Sequence, residues 1–90
     1  MEYCEHIAAI MPVEPAAREC ADCIKTGDLW VHLRLCKSCG YVGCCDSSVN
    51  KHATGHFNTS RHPIVESFEP GEHWGYCYVD DMFFPSLPDA

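Results

Sequence analysis

The chain has 90 residues, 13 acidic and 6 basic, for a formal net charge of −7, and it carries eight cysteines and six histidines. A length this short makes one small domain, of a size that often needs metals or disulfides to hold a unique fold. The acidic balance argues against nucleic acid as a partner, because such binding is dominated by phosphate neutralisation, and Arg18, Lys25, Arg34, Lys37, Lys51 and Arg61 are dispersed along the chain.

Residues 1–19 read as irregular, punctuated by Pro12 and Pro15, with Cys4-x-His6 as the only chemically loaded pair. They have no basic segment ahead of an apolar one, so they predict neither a signal peptide nor a membrane span, and no later stretch is long and apolar enough to span. A reducing, cytoplasmic setting is the expectation, and there cysteines read as metal ligands. Cys20-x2-Cys23 is a first knuckle, followed by the turn Thr26-Gly27-Asp28. Residues 29–35, LWVHLRL, place Trp30, His32 and Arg34 on one face and Leu29, Val31, Leu33 and Leu35 on the other. That period of two predicts a half-buried strand, with His32 partly exposed.

From Cys36 to His62 the sequence is CKSCGYVGCCDSSVNKHATGHFNTSRH. A second knuckle, Cys36-x2-Cys39, precedes Gly40, where a positive φ is expected. YVGCC reads as a short apolar turn. Ser47 or Ser48 caps a helix over residues 48–57, with Val49, His52, Ala53, His56 and Phe57 at helical spacing, and Asn58 to Arg61 end it. HPIVESF is a second strand, Pro70-Gly71 a turn, HWGYCYV an aromatic third strand and DMFF a fourth. The predicted class is α+β, a small zinc-stabilised antiparallel sheet with one main helix, occupying residues 1–84 with a tail at 85–90.

Thiolate and imidazole are the ligands zinc prefers. Cys36, Cys39, Cys44, Cys45, His52, His56 and His62 exceed the four that one tetrahedral ion accepts. Cys20 and Cys23 bring the set to nine, enough for two sites with Cys45 left over. His52 and His56 stand four apart on one helical face, so spacing alone would put both on one ion.

Several of these segments together carry a resemblance. Cys20-x2-Cys23, Leu29-Trp30-Val31, Cys36-x2-Cys39-Gly40, Val42-Gly43-Cys44, His52-Ala53-x2-His56-Phe57 and His62-Pro63-Ile64-Val65 follow in the order of the UBP-type zinc finger, or BUZ finger, found in deubiquitinases and in a histone deacetylase. The chain resembles that family over residues 4–80. The resemblance implies one zinc site at Cys20, Cys23, Cys44 and His52 and a second at Cys36, Cys39, His56 and His62. It implies a third zinc at Cys4, His6 and Cys77, with Asp80 where multi-zinc members carry a last cysteine and His73 as a rival ligand.

In ubiquitin-binding members the resemblance implies a pocket for the free Gly-Gly tail. An Arg two positions past the shared zinc cysteine grips the tail carboxylate there, between aromatic walls. Here Cys45 replaces the usual Gly and Asp46 stands at the Arg position, where an anion repels a carboxylate. Trp30, Trp74, Tyr76 and Tyr78 are the aromatic candidates for the walls. The expectation is a monomeric module that binds a protein or peptide tail, with the carboxylate grip lost and ubiquitin not the default partner.

Enzyme readings are weaker. His52-Ala-Thr-Gly-His56 has Ala53 where the zincin motif needs its catalytic Glu, and the zinc-deaminase signature is absent. Sites with four protein ligands leave no open position for water. Cys45, a surplus thiol beside a metal site, carries the competing class, a redox or thiol-dependent enzyme or sensor; a buried, inert thiol is the simpler reading.

Overall fold

The computed structural model of the protein describes residues 4–87. A 3-10 turn (Glu5–Ala9) leads to helix α1 (Ala21–Thr26), strands β1 (Leu33–Cys36) and β2 (Val42–Cys44), helix α2 (His52–Ser60) and strands β3 (Ile64–Ser67), β4 (Gly75–Cys77) and β5 (Met82–Phe84). The strands form one antiparallel sheet in the order β2-β1-β3-β4-β5. The class is the expected α+β, a small sheet with one main helix.

The element boundaries differ from the sequence expectation, for identifiable reasons. β1 begins at Leu33, four residues late, because its partner β2 ends at Cys44, which pairs with Leu33. Upstream, the Val31 N–H donates to Ser48 Oγ at 2.8 Å, and the His32 carbonyl accepts from the Cys45 N–H at 3.0 Å. Leu29 and Val31 consequently stay exposed. The segment expected to be an apolar turn, YVGCC, contains β2, whose three residues are all buried; a short apolar run suits a buried strand as well as a turn.

Helix α2 starts at His52, not near 48, because Ser48 is buried and its hydroxyl is committed to Val31. Lys51, with a φ of 51°, occupies the N-cap without a side-chain cap. The His52 N–H donates instead to Cys44 Sγ at 3.1 Å, so a ligand sulfur satisfies one of the orphan donors at the helix start. The first knuckle is wound into α1, which the sequence reading left out, and Gly27 closes it at φ 77°. Gly40 does take a positive φ, 86°, and a Cβ there would collide with the Glu14 carbonyl.

The register sorts side chains onto two faces. Leu33, Leu35, Val42 and Cys44 cluster with Cys20 and Cys23, while Ile64 and Cys77 cluster with Cys4 and Ile10. Leu87, within the span set aside as a tail, packs on the second cluster and fills the space beside Gly75. The opposite face carries Arg34, Val65 and Tyr76, through the pairings Arg34–Ser67 and Val65–Tyr76. Helix α2 crosses that face at Gly43, where a Cβ would stand 2.7 Å from the Ala53 nitrogen. Among the described residues no helix is long and apolar enough to cross a membrane.

Candidate metal centres and aromatic groove

The cysteines and histidines come together in three groups: Cys20, Cys23, Cys44 and His52; Cys36, Cys39, His56 and His62; and Cys4, His6, Cys77 and Asp80. Within each, one ligand atom per residue lies within 4.8 Å of the others. His73, the rival for the third group, is exposed and outside it. α2 supplies one histidine to each of the first two groups. Cys44 shares a face with its partner Leu33, whereas Cys36, three residues on from Leu33, leaves β1 toward the other face. This separation splits His52 from His56, which spacing alone would have joined.

Distances test each group for zinc. Zinc holds sulfur at about 2.3 Å and nitrogen at about 2.0–2.1 Å, so tetrahedral geometry sets S···S near ~3.8 Å and S···N near ~3.6 Å. In the first group the Cys23 and Cys44 sulfurs are 3.8 Å apart, and His52 Nδ1 lies 3.2, 3.4 and 3.5 Å from the sulfurs of Cys20, Cys23 and Cys44. In the second, Cys36 Sγ is 3.5 Å from His62 Nδ1 and Cys39 Sγ is 3.3 Å from His56 Nε2. Both fit a four-coordinate zinc. In the third, Cys4 Sγ is only 2.8 Å from Asp80 Oδ2, and His6 Nδ1 3.0 Å from the same oxygen. The Cys4 sulfur and His6 Nδ1 stand 3.7 Å apart, close to a zinc edge, and the four donors gather about one point as in the other two groups. Burial, with the hydrogen bonds to Asp80 and Cys77, pushes the Cys4 thiol up to about 12, while hydrogen bonds from Cys4 and His6 hold the Asp80 carboxyl below its usual range.

Supporting contacts fix the ligands of the first two groups. Asn50 Nδ2 donates to Cys23 Sγ at 3.6 Å and to Asp28 Oδ2 at 2.8 Å. The Tyr41 ring stacks on His56 at 4.3 Å, and its hydroxyl donates to Asp22 at 2.5 Å. Outer contacts of this kind hold ligating side chains in orientation. Burial, then the charge of His62, keeps His56 below its usual pKa, which favours the neutral imidazole that binds metal. Cys20, Cys23 and Cys44 are fully buried, whereas Cys39 is exposed.

Between α2 and the sheet lies a cavity of about 290 Å³, walled by Trp74, Tyr76 and Tyr78, floored by Val65 and closed by Thr54 and residues 45–47. Tyr76 and Tyr78 meet edge to face at 87°, and Tyr78 stacks on Phe57 of α2. Trp30, expected as a wall, is not part of this lining; it packs against the cluster around Cys20 and Cys44. In its place the groove holds Arg34, whose guanidinium sits 4.4 Å from the Trp74 ring centroid. The sequence reading missed Arg34, although its alternation had put it on the face away from Leu33 and Leu35. Asp46 lies at the mouth with Thr54 Oγ1 donating to it at 2.5 Å. Cys45 also lines the cavity. Burial pushes its thiol up, but hydrogen bonds from Ser48 and the backbone of Ser47 and His32, with the Arg34 charge, bring it to about 7.

Fold and donor sets define a zinc-built α+β finger. The profile described as "Zn-finger in ubiquitin-hydrolases and other protein" matches residues 20–87, and the chain belongs to that family. It is 31% identical to ubiquitin carboxyl-terminal hydrolase 44 of Ailuropoda melanoleuca across 92% of this chain. Across 78% of this chain it is 34% identical to the NAD-dependent deacetylase sir2A of Dictyostelium discoideum. It spans only 12% of each of those proteins. The solution NMR structure of protein RPA1320 from Rhodopseudomonas palustris is similar over 99% of this chain and 97% of that one, with a TM-score of 0.85 and 45% identity.

Proposed function

We propose that the chain is a monomeric, zinc-stabilised binding module of the cytoplasm that takes the end of a protein or peptide chain into its aromatic groove. Cys20, Cys23, Cys44 and His52 hold one zinc, and Cys36, Cys39, His56 and His62 hold another. These ions brace α1, β1, β2 and α2, leaving the chemistry of recognition to the groove. The observation that carries the reading is the groove itself: three aromatic side chains on one face beside the helix, in a cavity that also presents Arg34, Asp46, Ser47 and Thr54. Aromatic anchors in such a setting dominate interface energetics. Asp46, at the position where ubiquitin-binding fingers carry Arg, keeps ubiquitin a test ligand and not the default.

The test is titration of the zinc-loaded protein with free ubiquitin and with peptides ending in a free carboxylate, read by Trp fluorescence. Saturable binding that Trp74→Ala abolishes, with zinc content unchanged, is the expected result. No response to any chain end would overturn the reading. Thiol chemistry at Cys45 is the second reading, favoured by its lowered pKa and its place in the groove. It predicts alkylation of Cys45 by iodoacetamide at neutral pH while both zincs stay bound.

A further inference from the structure

One side chain that belongs to neither zinc group touches both. Tyr41, two residues past Cys39, lays its ring on His56 with the centroids 4.3 Å apart and the planes 11° from parallel. Its ring edge fills the space beside Gly43, where a Cβ would meet the Cε2 atom at 2.7 Å. Its hydroxyl donates to the Asp22 carboxylate at 2.5 Å. Asp22 lies in α1 between Cys20 and Cys23, two members of the first group. Asp22, Tyr41, His52 and His56 consequently line one cavity of about 270 Å³.

Helix α1 has little else to orient it. It is six residues long, Cys23 is its only buried residue, and Ile24 is half exposed. The charge nearest Asp22 is Lys25 of the same helix, at 3.9 Å, which ties α1 to no other element. The hydrogen bond from Tyr41 has an ionised acceptor and belongs to the stronger kind. On the other side, His56 Nε2 faces Cys39 Sγ at 3.3 Å, so an ion held there fixes the ring on which Tyr41 rests. Helix α2 already joins the two groups, through His52 and His56 one turn apart. Tyr41 joins them a second time, through α1.

Resting on the two zinc centres assigned above, we propose that Tyr41 is a positioning residue that couples them. Zinc at Cys36, Cys39, His56 and His62 steadies Tyr41, and Tyr41, through Asp22, holds α1 in the orientation that retains zinc at Cys20, Cys23, Cys44 and His52. The coupling is reciprocal, because two sites that change each other's affinity do so by the same factor. Loss of the ion beside the exposed Cys39 therefore loosens the buried one.

The experiment exposes the zinc-loaded chain to EDTA with iodoacetamide present and follows each cysteine by peptide mass spectrometry. Alkylation of Cys20, Cys23 and Cys44 reports loss of the first ion, and alkylation of Cys36 and Cys39 reports loss of the second. His62→Ala empties the second site, and Cys39→Ala, at the exposed ligand, is an alternative way to do so. Either is expected to speed release of the first ion about tenfold. Tyr41→Phe keeps a ring on His56 but removes the hydroxyl, and speeds that release by itself. Combined with an emptied second site it adds little more, the non-additivity of a coupled pair. Asp22→Ala behaves as Tyr41→Phe does, while Asp22→Asn, which keeps an acceptor oxygen, retains most of the coupling.

Release of the first ion unchanged in Tyr41→Phe overturns the proposal, whatever the emptied-site variants do. So does a Tyr41→Phe effect that persists in full once the second site is empty, since Tyr41 then supports the first site alone. Cysteines of both groups that alkylate at once without EDTA overturn the zinc assignment and this inference with it. Far-UV circular dichroism of each variant before EDTA is added separates these outcomes from misfolding.

Discussion

The group around His52 and the group around Asp80 contain similar donors and are built differently. The first has three fully buried sulfurs and one imidazole, spaced 3.2 to 3.8 Å as a zinc tetrahedron requires. It ties α1, β2 and α2 together. The second draws Cys4 to 2.8 Å and His6 to 3.0 Å of one Asp80 oxygen. It fastens the N-terminal turn to the β4–β5 end, beside an apolar cluster of Ile10, Ile64, Met82, Phe84 and Leu87. An apolar cluster reinforces the group around Asp80, whereas around His52 cysteines themselves form half of the buried cluster.

That contrast orders the expected effects of perturbation. Structural zinc contributes roughly 10–16 kcal/mol to small fingers, more than the whole net stability of many domains, about 5–15 kcal/mol. Cys23→Ser, or chelation, should therefore unfold the chain; circular dichroism with metal analysis checks it, and a cooperative transition surviving verified metal loss would contradict it. His62→Ala should remove the second zinc while the first stays, because the second site is nearer solvent, with Cys39 exposed. Hydrogen exchange should then rise in the last turn of α2 and at the β1–β2 turn. An unchanged pattern there would show that the second ion braces nothing.

Asp80→Ala should keep both zincs and lower Tm without unfolding the chain, because the buried Cys4 thiol loses its hydrogen-bond partner. Unfolding as complete as for Cys23→Ser would erase the distinction between the two groups. The smallest effect is alkaline. The hydrogen bond to Asp81, then burial, pushes the Tyr76 hydroxyl up to about 12, above its ordinary value of about 10. The fold favours the protonated phenol, so this contribution is complete below pH 10 and is lost as pH rises toward 12. Tyr76→Phe should remove that slope from stability measured against pH.

The sequence made the donors legible because cysteine and histidine spacings are specific, and β3, β4 and β5 fall within the stretches expected as strands. It misplaced β1 and α2 because Val31 and Ser48, seventeen positions apart, hydrogen-bond each other; no local pattern reveals such a tie. β2 was hidden because three buried residues leave too short an alternation to read. Arg34 was passed over for a different reason. Among dispersed basic residues it has no distinguishing neighbour in sequence, and only the pairing of β1 with β3, and β3 with β4, brings it over Trp74. Trp30, chosen for being aromatic on the same predicted face, left that face when the strand began three residues after it.

The most direct test is native mass spectrometry of the metal content, with circular dichroism on the same sample before and after a strong chelator. Two or three zinc ions should stay bound to each chain, and removing them should abolish the folded signal. A chain that binds no zinc, or that keeps its sheet and cooperative unfolding once the ions are gone, would contradict a fold built on the Cys20 and Cys36 centres.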